Sequence, residues 1–558
     1  MSMKLRQSVL FLLLVLGAGG CGHKHEHEDA SLGTTTRDGR LSPLLSNLGE
    51  FERKVSTGSE VAQKYFTQGL ALVYGFNHAE AVRSFQEAAR VDAKLGIAYW
   101  GEALATGPNI NDSATEEERE RAAYTAARKA VENKAGMTEV EQALIEAIAV
   151  RFSDPAGANR EERLKAYAAA MERVYQQFPN DADVATLYGS AVMDTMPWNY
   201  YASNGEAKPE MVKAIAALER AIKLAPRHPG AHHYYIHAVE ASPTPDRAVP
   251  SADLLGGLMP GAGHLVHMPS HIYIRVGRYS DATEANIKAI AADEDYITQC
   301  RVQGIYPAAY YPHNVHFLTA SLSMEGRSAE MIEAAKKVGH HHGDEMMNMP
   351  GFGFPHLLHA IPMFTDVRFG RWNEVLATPR PGDSTFHLAI WHYARGLAYV
   401  AKGQLPEAEQ ELAQTRKHAA DPELDKLLVF DINSLGAIAR IGVDVLEGEL
   451  LAARKRYPEA IAALRRAVAK EDALLYSEPP DWPIPPRHNL GAVLLAAGQA
   501  AGAEKVFRED LTRHRNNGWA LLGLAQSLEA QRKDAGEARA AFEKAWAKAD
   551  VKITAARF

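Results

Sequence analysis

Small and aromatic residues recur along this chain with a period near 34, and no other property of the sequence restricts the fold as much. From about Ser59 the chain reads as helices of ten to fifteen residues, rich in Ala, Leu, Glu and Arg, divided by Gly or by a turn such as Gly277-Arg278-Tyr279. Strand-like alternation is scarce. A unit of this length holds two helices and cannot bury its own apolar side, so neighbouring units must stack. The 558 residues, 46 % hydrophobic, suffice for one large core or a long series of small ones.

The recurring places can be followed residue by residue. Gly69, Ala81, Phe85 and Ala88 mark a first copy, and Trp100-Gly101 opens the next. Ala185, Tyr188 and Gly189 follow, then Ala214, Leu218, Ala221 and Pro226, then Gly277, Tyr279, Ala282 and Ala289. Gly326, Gly403 with Ala408, Tyr457 with Ala460, Leu464 and Ala467, and Leu490-Gly491 with Ala503 and Phe507 continue the series, which Trp519, Leu522, Gly523, Ala538, Phe542 and Ala545 close. The pattern resembles the tetratricopeptide repeat, a pair of antiparallel helices. The resemblance spans most of residues 60–548 and implies an all-α fold, an α-solenoid of degenerate helix pairs. Insertions are expected at Thr106 to Met137, Asn199 to Glu210, Tyr296 to Pro312 and Pro479 to Pro486.

The N-terminus reads as an export signal. Lys4 and Arg6 precede a short apolar run from Val9 to Leu16, too short to span a bilayer. Ala18-Gly19-Gly20-Cys21 resembles a bacterial lipoprotein cleavage box, which implies removal of residues 1–20 and a lipid on Cys21. The expected location is the periplasmic side of the cell envelope, lipid-anchored, with simple secretion as the alternative. Residues 21–41, beginning Cys21-Gly22-His23-Lys24-His25, read as a His-rich disordered tether, and 42–558 as the repeat domain. Cys300 is the only other cysteine, so a lipidated chain has no internal disulfide and no thiolate cluster. With 61 basic and 69 acidic residues the formal charge is −8, which gives no reason to expect nucleic acid as a partner.

Sixteen of the 23 histidines fall between His228 and His392, about 30 % of the length. His233, His237 and Glu240, then His264, His267 and His271, then His313 and His316 recur at steps of three, four and seven, which return to one side of a helix. In the repeats that this chain resembles, such places on the first helix face a concave groove, so three neighbouring helices would converge there. Pro269 complicates the middle set: a proline fits a first turn better than a helix interior, so a helix starting there would leave His264 and His267 on the preceding Gly261-Ala262-Gly263 loop.

Imidazole is a ligand for zinc, copper, iron and nickel, and those eight residues are the expected ligands of a transition-metal site. Glu240, Glu102 and Asp194 are the candidates for fixing tautomers. A second stretch, His340-His341-His342-Gly343-Asp344-Glu345-Met346-Met347-Asn348-Met349, adds thioethers, which turns the preference to copper over zinc or iron. His232, His359 and His392 fall at packing places, and His78, His418, His488 and His514 read as isolated surface or packing residues. Met196 to Tyr201, Tyr234-Tyr235, Tyr306 and Tyr310 to Asn314 either line a pocket beside the metal or pack a bend.

The runs Gln68 to His78, His267-Met268-Pro269-Ser270-His271-Ile272-Tyr273 and Tyr311-Pro312-His313-Asn314 resemble bacterial His-rich repeat lipoproteins of unassigned function; that likeness implies a fold and no reaction. No Gly-x-Ser-x-Gly elbow, Walker loop or dinucleotide fingerprint occurs. Two functions stay open. One is a metalloenzyme or copper-handling protein; the other is a membrane-tethered scaffold whose groove binds a protein or peptide without metal.

Overall fold

The computed structural model describes residues 35–36, 39–112, 116–202, 205–300, 306–339 and 352–558. Among these the fold is all-α, an α-solenoid of tetratricopeptide-like helix pairs, with one two-residue hairpin of Leu428–Val429 against Asn433–Ser434. No described helix is long and apolar enough to cross a membrane. The signal peptide, Cys21, most of the tether and the His340 to Met349 stretch lie outside the described residues. The chain divides into two compact units, Met1–Pro269 with Lys288–Pro307, and Ser270–Ile287 with Ala308–Phe558.

In the first unit the pairs are Glu60–Tyr74 with His78–Val91, Gly96–Thr106 with Glu117–Glu132, Glu139–Ala149 with Arg160–Gln177, and Ala182–Met193 with Pro209–Leu224. Pro229–Val239 follows, packed on Pro209–Leu224, Ala182–Met193 and Glu60–Tyr74. Local chemistry sets the starts. The Ser59 side chain accepts from Ala62 N, Thr138 and Glu141 form a reciprocal capping box, and Pro209 and Pro229 occupy first turns where no amide donor is needed.

The recurring small and large places have a direct packing cause. Phe85 is fully buried between two glycines: a Cβ at Gly69 would lie 2.8 Å from its ring and one at Gly101 2.3 Å. Any side chain at either place would collide with the ring, so the period is the distance between successive walls of one aromatic slot. The second unit repeats the device, with Phe507 between Gly491 and Gly523, each of whose Cβ atoms would fall 2.3 Å from the ring. Its pairs include Tyr311–Glu325 with Ser328–Gly339, Thr385–Ala401 with Leu405–Ala419, Leu435–Ala453 with Tyr457–Asp472, and Pro486–Ala496 with Ala500–Arg513.

Two expected insertions are corrected. Thr106 to Met137 contains the helix Glu117–Glu132, which completes a pair with Gly96–Thr106: Glu117, Glu118 and Glu120 favour its N-terminal turn, and Ala123, Ala126, Ala127 and Ala130 give it a small, buried face. The expected insertion from Tyr296 begins inside the long helix Tyr279–Cys300, not after it. The expected insertions at Asn199 to Glu210 and Pro479 to Pro486 lead into the helices Pro209–Leu224 and Pro486–Ala496.

Candidate metal centre

His228, at the head of Pro229–Val239, accepts at Nδ1 from Ala231 N (3.1 Å). Its Nε2 therefore carries the proton and faces Asp183 Oδ1 at 3.0 Å, beside the Tyr74 hydroxyl (2.6 Å). Arg53 reaches the other oxygen at 2.7 Å. Burial opposes ionisation of Asp183, yet His228, Arg53 and Tyr74 together hold its carboxyl below the usual range. This network anchors the helix that carries His233 and His237.

One turn on, His233 Nδ1 lies 2.7 Å from the Tyr74 carbonyl oxygen. A carbonyl can only accept, so Nδ1 is the protonated nitrogen and Nε2 the one with a lone pair. His237 is fixed the same way, its Nδ1 3.0 Å from Glu240 Oε1. His233 Nε2 points at His264 Nε2 across 3.2 Å. The candidate ligand atoms of His233, His237 and His264 all lie within 4.8 Å of one another, and all three side chains are buried.

His264 arrives from a different element. Pro269 opens its own helix, Pro269–Val276, and His264 and His267 lie on a separate short helix, Gly263–His267, so the expected common face through His271 and the expected loop are both corrected. Gly263 permits this entry, because a Cβ there would fall 1.9 Å from Asp293 Oδ1. Tyr306 OH links the two, receiving from His264 N (3.3 Å) and donating to Asp293 (2.7 Å). The His267 ring is buried 5.9 Å from that of His264.

Phe76 forms one wall of the cluster. Its ring centroid is 4.4 Å from His233, 5.2 Å from His264 and 6.0 Å from His237, nearly parallel to the last two. Trp198 meets His237 edge-on at 5.3 Å, and Tyr234 stacks on His233 at 5.4 Å. Phe76 and Trp198 both have positive φ, 58° and 61°. Bulky residues adopt that backbone at a cost of about 1–3 kcal/mol each, and it persists where surrounding packing imposes it.

Of the expected tautomer-fixing carboxylates, Glu240 serves and two do not. Asp194 Oδ2 is taken by Arg151 at 2.8 Å in a buried pair, and Glu102 accepts from Gln86 at 2.9 Å. The Tyr74 carbonyl does the work instead, a group that no residue-type search reveals.

In the second unit His271 and His313 approach with ring centroids 5.7 Å apart, Phe317 packing against both. Glu478, which the sequence reading missed, places a carboxylate oxygen 2.8 Å from His271 Nδ1. His316 goes elsewhere and lines a small cavity with Arg368, Phe364 and Trp482. His232 is structural as expected, held by Ser251 and the Pro226 carbonyl at 2.9 Å each. His392 bonds Glu411 at 2.5 Å. His359 is exposed rather than packed inside, and His488 and His514 are no isolated pair, since both bond Asp510. A cavity of about 450 Å³ in this unit is bordered by Trp372, Tyr393, Glu449, Asn489 and the terminal Arg557-Phe558.

The class thus defined is a tetratricopeptide-like helix-pair protein that carries a buried group of three imidazoles, two of them oriented by acceptors. No family model and no curated protein matches the chain. Among solved structures, the human IFIT1 dimer with m7Gppp-AAAA aligns over 89 % of this chain and 91 % of its own at 14 % identity, TM-score 0.30. The APC/C hetero-tetramer Cut9–Hcn1 aligns over 87 % and 76 % at 13 % identity, TM-score 0.29. Yeast Tom70 aligns over 85 % and 90 % at 11 % identity, TM-score 0.27. At such scores no argument follows from these likenesses, and the class rests on the helix pairs and their glycine–aromatic slots.

Proposed function

We propose that this protein binds a transition-metal ion through His233, His237 and His264, and works in the cell envelope as a metalloenzyme or metal-handling protein. The observation that supports this best is the 3.2 Å approach of His233 Nε2 to His264 Nε2. Metal–nitrogen bonds of about 2.0–2.1 Å at a tetrahedral centre put neighbouring nitrogens about 3.3–3.4 Å apart, close to that spacing. Acceptors on the Nδ1 atoms of His233 and His237 are the second ordinary requirement of an imidazole site. Three imidazoles leave one position open for water or substrate.

Copper is favoured over zinc or iron, because Met346, Met347 and Met349 follow three consecutive histidines and offer soft ligands on the same chain. His271, His313 and Glu478, all in the second unit, are the candidates for a second ion. Lipid on Cys21 would hold the domain at the membrane surface. A scaffold reading keeps one observation in its favour, the cavity of about 450 Å³ beside Arg557-Phe558, whose aromatic and polar lining suits a peptide.

Elemental analysis of tagless protein dialysed against a weak chelator tests the proposal. Near-integral copper, zinc or iron in the wild type, lost in the His233→Ala/His264→Ala double variant with helicity retained, is the expected result. Protein that takes up no ion after anaerobic reconstitution with each metal would refute the metal reading and leave the scaffold.

A further inference from the structure

Arg368, at the end of the helix Phe354–Arg368 in the second unit, is 3 % exposed, yet among the described residues no carboxylate forms a salt bridge with it. Its Nε donates to Ser323 Oγ (3.0 Å), Nη1 to His488 Nδ1 (3.1 Å) and Nη2 to Met324 Sδ (3.9 Å), while the guanidinium lies 3.9 Å from the Trp519 ring centre. All of these partners are neutral. Because His488 Nδ1 accepts, its proton is on Nε2, which donates to Asp510 Oδ2 at 3.1 Å. The charge of Asp510 is already engaged: His514 Nδ1 lies 3.2 Å from Oδ1, and Asn517 donates to Oδ2 at 3.0 Å. Despite its burial, His514 is raised by Asp510 and so held towards the protonated form. Asp510 thus faces His488, His514 and Asn517, and among the described residues it reaches Arg368 only through the His488 ring.

A guanidinium has five N–H donors, and three are accounted for, which leaves two on the Nη atoms. Arg368 lines a cavity of about 30 Å³ together with His316, His514, Phe364 and Trp482. His316 is 3 % exposed, and its Nδ1 has no hydrogen-bond partner. A buried guanidinium that touches no described carboxylate and a buried imidazole nitrogen without a hydrogen-bond partner thus belong to residues that border the same void, and each is costly alone. The void has room for a monatomic ion or one to two waters. We infer that it is a binding site for a halide-sized anion, chloride in physiological media, held by the free Nη hydrogens of Arg368 and by His316 Nδ1–H. A water would satisfy the hydrogen bonds but bring no negative charge to the guanidinium. The site lies wholly in the second unit and shares no residue with the three-imidazole cluster.

Crystals of the full chain soaked in bromide, with data collected at the bromine edge, test the inference directly. An anomalous peak within hydrogen-bonding distance of Arg368 Nη and His316 Nδ1 is expected; a soaked crystal with no peak there, or with a water in its place, overturns the proposal. Thermal melts in sodium chloride against sodium gluconate at equal ionic strength give a second reading, with a saturable upward shift in chloride. His316→Phe, which fills the space and removes the donor, should raise the halide dissociation constant at least tenfold while leaving the metal content unchanged. Identical wild-type melts in the two salts would equally overturn the site.

Discussion

Replacing Glu240 separates what a carboxylate does beside His237 from what a metal ligand does. Both side chains are 1 % exposed, and His237 Nδ1 lies 3.0 Å from Glu240 Oε1. Glu240→Leu removes the acceptor and leaves a buried N–H, at a cost to the metal-free protein of about 1–3 kcal/mol. It also frees the imidazole to rotate and to change tautomer. Loss of such an outer partner weakens metal binding about 10- to 100-fold, which is about 1.4–2.7 kcal/mol. Glu240→Gln keeps an acceptor oxygen in place and removes only the charge, so its affinity should lie between the wild type and Glu240→Leu, with stability close to wild type. His237→Ala should bind weaker than either. Competition against a chromogenic chelator gives the affinities, and urea melts of the apoprotein give the stabilities. Wild-type affinity in Glu240→Leu would refute the orienting role, and loss in Glu240→Gln as deep as in His237→Ala would make Glu240 itself a ligand.

Further outcomes follow from packing and burial. Phe85→Ala and Phe507→Ala should each cost about 3–5 kcal/mol in urea unfolding, and Gly101→Ala about 1–3 kcal/mol because its methyl would meet the Phe85 ring. Burial raises Asp194 to about 6, against the pull of Arg151. Between about pH 4 and 6 the folded state then holds a proton that the unfolded chain has lost, so stability falls as pH rises through that window, by up to about 3 kcal/mol. Asp194→Asn should flatten this slope, and a melt series with the same slope in both proteins would contradict the assignment. Cys300 is 5 % exposed and burial pushes its thiol up to about 12; an aromatic disulfide reagent at pH 8 should label it at least about a hundredfold slower in the native protein than in guanidinium, and comparable rates would show the helix end to be open.

Helix phase in the sequence carried the argument as far as direction. It started the helices at about Ser59, marked Gly69, Phe85 and Gly101 as recurring places, and set His233 with His237 on one side, because those follow from local periodicity. It stopped where tertiary geometry or the backbone decides. Pro269 divided the middle histidine set into two elements, and His316, three residues from His313, turned to the Arg368 cavity, since a step of three spans most of a turn but does not fix a neighbour. Tyr74 orients His233 through its carbonyl, which any residue type would offer. Phe76 was visible only as part of a quoted run, and its positive φ has no signature in composition. Glu478 lies in a proline-rich connection where no period applies, and Asp194 was lost to Arg151, a partner 43 residues away.

The slot around Phe85 also decides how this chain can be cut. One wall, Gly69, belongs to the same pair as the ring, and the other, Gly101, to the pair that follows. A fragment ending in the turn near Asp92 would carry a half-open slot and expose an aromatic face, although it ends between helices. The smallest self-contained piece is therefore a helix pair plus the first helix of its successor. Boundaries for expression fragments, insertions or repeat exchange belong after a glycine-bearing helix such as Gly96–Thr106, half a period out of step with the one that the turns suggest.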